Sequence, residues 1–497
     1  MPKRKILRRT LGGILLSLYV LIALLNTSLV QSYLGAAVGS YFSKEWGGKV
    51  SIGAISVSPL SHVMLNKIEL ISPTNDTIYI GDRITCRFKQ FPFHKGGLKF
   101  DRVLLRNGRY HFHSIKYPSG QMGTNLDFII KYFAPKEPKA IKDPQQPPQH
   151  FVVEVGELRL RNIDYIQDLP EHPGAPHFDH GVKIPHMRFW GTTAHFRKVR
   201  VDNDSITCRI VSLTTTEDGG QHVVDLSADV EVSPHVIRAT NLDLQTDDSR
   251  VFLDAQLLYH GWKAMGDYCR NVRHEVVLKE GTEVNLRDAA FWAPVLWGVN
   301  CKVAVKGHAY GPVADLHADK MVINIGQSTH LLVDGSITGL PHIQHTTLDV
   351  AVTDFHANYA DLAPIQYPDL AHFVLPAIVE QMGIIDLSAT MQGGMSNCQA
   401  MVNVNSLIGD LEAKASIAYD SAKHDYAYFG VVDSRTLGVR TLLPNEWVSR
   451  TGMHLSFEGV GFSPQSMVAS LEGRLYDTHF RGNELARTIL SAYIANQ

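Results

Sequence analysis

The sequence predicts a mainly β protein: an N-terminal transmembrane helix, then an elongated antiparallel sheet. Three observations predict it. Residues Leu11 to Val30 are mostly Leu, Ile, Val, Ala and Gly, and no charge occurs between Arg9 and Lys44. From Lys49 onward, short segments alternate apolar and polar side chains, which is the period of a strand with one apolar face. Gly, Asn, Asp or Pro separates these segments about every 8–12 residues, as in antiparallel all-β structure.

The first element is the anchor. About 20 apolar residues rising 1.5 Å each span a bilayer core of about 30 Å. The predicted anchor residues are Leu11, Ile14, Leu15, Leu16, Leu18, Val20, Leu21, Ile22, Leu24 and Leu25. Lys3, Arg4, Lys5, Arg8 and Arg9 precede them, so the N-terminus is expected on the cytoplasmic side and the body across the membrane. A cleaved signal peptide is the alternative, but its small-residue site, Ala37-Val38-Gly39, lies too far past the apolar run. Apolar pairs then recur at helical spacing: Leu29/Val30, Tyr33/Leu34, Ala37/Val38 and Tyr41/Phe42. The helix is expected to continue past the membrane, lay this stripe on the structure beyond it, and end at Trp46-Gly47-Gly48.

The strands come next, with Val50-Ser51-Ile52, Lys67 to Ile71, Asp101 to Gly108, Val251 to Leu257 and Leu331 to Ile337 as examples. Leu126 to Phe133 reads as a short helix. Pro135, Pro138, Pro144, Pro147 and Pro148 mark 134–150 as an exposed loop or linker. Asp288 to Val299 and Tyr359 to Met382 look partly helical, the latter broken by Pro364, Pro368 and Pro376. A loose repeat starts at Val303, Ser388 and His454, each opening a strand that reaches a glycine. The expected organisation is 1–47 cytoplasmic tip, anchor and helix, 48–133 a first β region, 134–150 the loop, and 151–497 a continuing β region.

Composition bounds the function. With 44% hydrophobic and 19% charged residues, the 497-residue chain can bury a large core. A net charge of −2 gives no basic field for nucleic acid. Cys86, Cys208, Cys269, Cys301 and Cys398 are scattered and odd in number, without metal spacing, and read as thiols rather than a disulfide framework. His111 and His113 share a strand face but lack a third ligand, so no metal is expected. No nucleophile elbow, zinc helix, phosphate loop or dinucleotide fingerprint occurs, so neither enzyme nor cofactor is expected. Hundreds of residues of one-sided strands must still cover their apolar faces. A closed sandwich is one solution; a long sheet curled into an apolar trough is another.

The run Leu25 to Leu34, followed by Gly48 to Ile55, Leu65 to Leu70 and Asp76-Thr77-Ile78, resembles the N-terminus of TamB proteins in the AsmA-like superfamily, most of all the Bacteroidota branch. Gly335 to Pro341 and Met382 to Leu387 carry the resemblance through the second half. It implies an inner-membrane anchored, periplasmic β-taco: a long sheet folded over a hydrophobic groove. It also implies phospholipid transport toward the outer membrane and outer-membrane protein assembly with a barrel partner of the TamA kind. Family members are typically longer and end in a domain that meets the barrel; this sequence, ending at Gln497, is expected to be short, split or a piece. The candidate groove residues are Val153, Val155, Leu158, Leu160, Leu242, Leu244, Val251, Leu253, Leu257, Leu331, Val333 and Ile337. In a closed sandwich they would be ordinary core. A scaffold that offers free strand edges to client proteins is the second expectation.

Overall fold

A computed structural model of the chain describes seven scattered residues between 13 and 24, and residues 26–58, 62–90, 97–117, 120, 122–129, 152–171, 180–202, 204–293, 296–342, 345–363, 365, 377–421, 424–442, 447–462 and 467–494. It is mainly β, with 66% strand and 15% helix. The chain divides into two compact units, Met1–Ser233 with Arg238–Asp247, and Pro234–Ile237 with Asp248–Gln497. The Pro-rich stretch 134–150 lies outside the described residues.

Helix α1 (Ser28–Trp46) ends at the predicted place. Gly47 takes φ 77° and its N–H donates to the Ser43 carbonyl, a left-handed cap that glycine adopts without a Cβ penalty. The helix does not run on unbroken from the apolar segment, contrary to expectation. The described residues between 13 and 24 are helical, but Asn26 and Thr27 donate to carbonyls only three residues back, at Ala23 and Leu24. The Thr27 hydroxyl also donates to Leu24 O, and Thr27 itself is extended at φ −74°, ψ 141°. A hydroxyl competing for backbone acceptors interrupts a helix in this way.

The contact of α1 with strand β1 (Lys49–Ser58) also differs from expectation. Small residues make it. A Cβ on Gly35 would lie 2.5 Å from Ile52 O, and one on Gly39 would lie 2.8 Å from Val50 O. Ser43 Oγ accepts from Val50 N at 2.8 Å. Gly35, Gly39 and Ser43 recur every fourth residue, so they form one seam. Only one member of each apolar pair turns inward. Val30, Leu34, Val38 and Phe42 are half-buried, while Leu29, Tyr33, Ala37 and Tyr41 are exposed.

The first unit continues with β2 (His62–Ile71), β3 (Thr77–Phe88), β4 (Gly97–Lys116), β5 (Met122–Thr124), β6 (Val152–Asp168), β7 (Arg188–Asp202), β8 (Ser205–Glu217), β9 (His222–Val232) and β10 (Val236–Thr246). Neighbours pair in the order β1-β2-β3-β4-β6-β7-β8-β9-β10, and β5 pairs with the end of β4. One pair departs from the antiparallel expectation: β4 and β6 run parallel. A parallel pair needs a connection of a dozen or more residues, and the stretch between Lys116 and Val152 supplies that length.

Left-handed residues sit in mid-strand here: Lys67, Asn107 and Asn162, with φ 50°, 48° and 55°. The registers align them across β2, β4 and β6, with Gly53 and Asp82 at the same level of β1 and β3. Each such residue slips the alternation by one. At the same level of β1, Ile52 and Ile55, three apart, are both buried, where a regular strand would turn one of them out.

The second unit holds β11 (Arg250–Leu258), β12 (Arg273–Leu278), β13 (Glu283–Asn285), β14 (Lys302–Pro312), β15 (Asp315–Ile325), β16 (Thr329–Thr338), β17 (Thr347–Asn358), β18 (Ile384–Gly394), β19 (Asn397–Ser406), β20 (Gly409–Asp420), β21 (Asp425–Leu437), β22 (Thr451–Val460), β23 (Val468–Phe480) and β24 (Asn483–Ile494). β12 and β13 both bridge β11 to β14; from β14 to β24 each strand pairs antiparallel with the next. The three repeat starts open β14, β18 and β22, so the period is four strands. Short helices follow the fourth strand: Tyr359–Leu362 and Ala377–Met382 after β17, and Val439–Leu442 after β21.

Candidate functional site: an apolar sheet face in each unit

Cross-strand register decides which side chains share a face, because direct partners point to the same side. In the first unit one row reads Val57, Val63, Cys86, Val103, Leu158, Phe196, Ile210 and Ala228, from β1 through β9. A second reads Ile55, Leu65, Ile84, Leu105, Leu160, Ala194 and Leu213. Beyond the left-handed residues comes an aromatic row: Tyr79, Tyr110, Tyr165 and Phe189, with Tyr110 and Tyr165 stacked at 5.8 Å. The predicted Leu158 and Leu160 fall in these rows. Val153 pairs with Leu98 and Val201, and Val155 with Phe100 and Val199. Leu242 and Leu244 occupy alternate positions on β10 and are half-buried.

The second unit is more regular. One row crosses thirteen strands: Ala255, Val276, Ala309, Ala318, Gly335, Val350, Met391, Ala400, Ala415, Gly430, Phe457, Leu471 and Ala492. No polar side chain interrupts it. On one side runs Met321, Val333, Val352, Ala389, Val402, Ala413, Val432, Leu455, Gly473 and Leu490. On the other runs Leu316, Ile337, Leu348, Gly393, Cys398, Ile417, Tyr428, Gly459, Ala469 and Ile494. The predicted Val251, Leu253 and Leu257 alternate along β11 with Ala255, and Leu331, Val333 and Ile337 alternate along β16 with Gly335. All six therefore share this face.

The opposite face is mostly polar. Its central row runs Gln256, Glu275, Tyr310, His317, Ser336, Asp349, Gln392, Gln399, Ser416, Phe429, Glu458, Ser470 and Tyr493, with Phe429 and Tyr493 exposed toward its end. Residues 321–413 contain no Lys or Arg. Histidines lie against carboxylates there: His330 Nε2 lies 3.5 Å from Asp354 and His356 Nδ1 lies 2.6 Å from Asp386. Residues 248–497 hold 17 Lys and Arg against 26 Asp and Glu, whereas 1–247 hold 30 against 23. The near-neutral whole-chain charge conceals this split.

Burial bears on the choice between core and open surface. Among the described residues no Leu, Phe or Trp is buried. Of the twelve predicted groove residues only Val155 is buried; the other eleven are half-buried. A sheet packed face to face with another would bury its large side chains. Among the described residues, then, most of the apolar rows are left half-buried; in the second unit a buried cluster of Val299, Cys301, Val303 and Ile325, packed by Leu362 and Ile365, covers one end of the face.

The anchor residues Leu16, Val20 and Leu24 are helical and 65%, 48% and 54% exposed. Leu11, Ile14, Leu15, Leu18, Leu21, Ile22 and Leu25 lie outside the described residues. Among the described residues no helix is long and apolar enough to cross a membrane.

Other sequence candidates resolve into structure. His111 Nε2 lies 2.9 Å from Asp168, which also bonds His186, and no group of three metal-type ligands occurs among the described residues. All five cysteines are free. Burial pushes the Cys86 thiol up to about 11, so it is no nucleophile at neutral pH. One open groove of about 710 Å³ follows the left-handed residues of the first unit and is lined by Lys67, Asp82, Asn107, Arg109, Asn162 and Asp164 among others. Sequence reasoning missed it; its signal is Asn and Lys where strand alternation slips.

No family model, curated protein or solved structure matches this chain.

Proposed function

We propose that this is a membrane-anchored protein, body in the periplasm, whose apolar sheet face carries phospholipid acyl chains toward the outer membrane and supports outer-membrane protein assembly. The observation that carries the reading is the uninterrupted apolar row across thirteen strands, flanked by two more and left mostly half-buried. Strands about 4.8 Å apart give such a row a run of roughly 60 Å. Transfer of an acyl chain from water to apolar surface is worth about 0.8 kcal/mol per CH₂. The polar face, with its carboxylates and histidines, has no comparable attraction for a chain. The anchor rests on the apolar segment Leu11 to Val30 and its five basic flanking residues. A TamA-like barrel as partner rests on the family resemblance alone.

The test is extraction of phospholipid from the purified full chain and from Leu253→Asp and Val333→Asp variants. Bound phospholipid that falls in folded variants supports the reading. A folded protein with no lipid, or with the same lipid in both variants, refutes it.

A scaffold without lipid cargo is the second reading, and β24 favours it. Ten of its twelve residues are exposed, Thr488 to Ile494 contain neither charge nor Pro, and among the described residues β23 alone pairs with it, so its other edge can accept another strand.

A further inference from the structure

We propose that α1 rests on a lipid surface through its outward stripe, Leu29, Tyr33, Ala37 and Tyr41, and holds the β1 edge against the bilayer. The proposal rests on the membrane-anchor reading and adds where the sheet meets the lipid. α1 has two apolar sides. Its seam of Gly35, Gly39 and Ser43 is used by β1. On the opposite side the four stripe residues recur every fourth position, with Leu29, Tyr33 and Tyr41 83%, 74% and 59% exposed. A helix facing water carries charge on its outer side. This one carries none before Lys44.

Three features favour lipid as the occupant. The stripe is continuous with the apolar segment: Leu29 belongs to it, and Leu16, Tyr19, Val20 and Leu24 upstream are exposed in the same way. The break at Asn26 and Thr27 frees α1 from the axis of the apolar run before it, so α1 can lie along the interface. The chemistry fits the headgroup boundary. Tyrosine sets an apolar ring in the acyl layer and a hydroxyl in the wet layer. Lys44 follows Tyr41 by three residues on the same side of the helix, where its stem can lie along the acyl layer and its ammonium reach phosphate. One helix then both covers the backbone edge of β1 and places that strand at the bilayer. The apolar rows that start at Ile55 and Val57 begin there.

The experiment uses the full chain in vesicles of phosphatidylethanolamine and phosphatidylglycerol, with p-benzoylphenylalanine placed singly at 20, 33, 41, 38 or 42. Circular dichroism establishes that each variant is folded. The expected result is lipid adduct at 20, 33 and 41, several-fold above that at the inward positions 38 and 42. Adduct at 20 without adduct at 33 and 41 overturns the proposal and leaves the anchor standing. Absence of adduct at 20 overturns the anchor, and the proposal with it. Adducts from 33 and 41 to protein instead of lipid also overturn it.

Discussion

Asn162 donates from Nδ2 to Oδ1 of Asn107 across the parallel pair β4 and β6, at 3.1 Å, and both residues are left-handed in mid-strand. Asn107 in turn donates to Asp82 at 3.0 Å. Asn tolerates the left-handed region better than other side chains, so these positions combine a backbone and a side-chain requirement. Asn107→Val is expected to destabilise the first unit by about 1–2 kcal/mol. Asn107→Gly removes the bonds but not the conformation, and should cost less. Urea unfolding of the two variants checks this. Equal losses would show that backbone conformation is not what selects asparagine.

The seam between α1 and β1 depends on missing Cβ atoms. Gly35→Val and Gly39→Val should each force the helix off Val50 and Ile52, at about 1–3 kcal/mol. Ala36→Val, on the exposed side, should change little. Hydrogen exchange at the Val50 amide, which donates to Ser43, reads the result directly. Faster exchange is expected in the two glycine variants and unchanged exchange in the third.

Asp361 closes the turn between β15 and β16. The Ser328 N–H, the Ser328 hydroxyl and the N–H groups of Gln327 and Thr329 all donate to it, and they hold its carboxyl well below the ordinary value of 3.8. A carboxyl whose folded-state pKa is depressed contributes stability above its unfolded pKa, and that contribution is lost as pH falls through the folded value. Asp361→Asn should therefore lower the melting temperature at pH 7, and the gap from the unchanged protein should close as pH falls below about 4. A gap independent of pH would mean that the carboxylate charge plays no part. Gly326 shares the site, since a Cβ there would collide with Asp361.

The strand content and the apolar face were legible because period-two alternation survives in single strands: Val251, Leu253 and Leu257, and Leu331, Val333 and Ile337, needed no partner to be assigned to one face. The repeat starts were legible because a glycine recurs on the opening strand of each copy. The left-handed residues in mid-strand were not. Leu160 and Ile163 lie on opposite faces by strict alternation, and only a left-handed Asn162 between them reconciles the two. The parallel pairing of β4 with β6 was hidden because it depends on where a long connection returns, which local pattern does not encode. The apolar pairs of α1 marked a helix correctly but not its contact face. The contact is made by two glycines, which a search for large apolar residues passes over.

The central claim is that one face of the second unit carries lipid. Asp349 and Val350 are adjacent on β17 and face opposite ways: Val350 lies in the thirteen-strand apolar row between Gly335 and Met391, and Asp349 in the polar row between Ser336 and Gln392. The most direct measurement is photo-crosslinking from a probe at each position in the folded full chain within phospholipid membranes, read by mass spectrometry of the adduct. The account predicts phospholipid adduct at 350 and little or none at 349. Equal labelling of the two positions, or no lipid at 350 or at any other residue of the apolar rows, would contradict it.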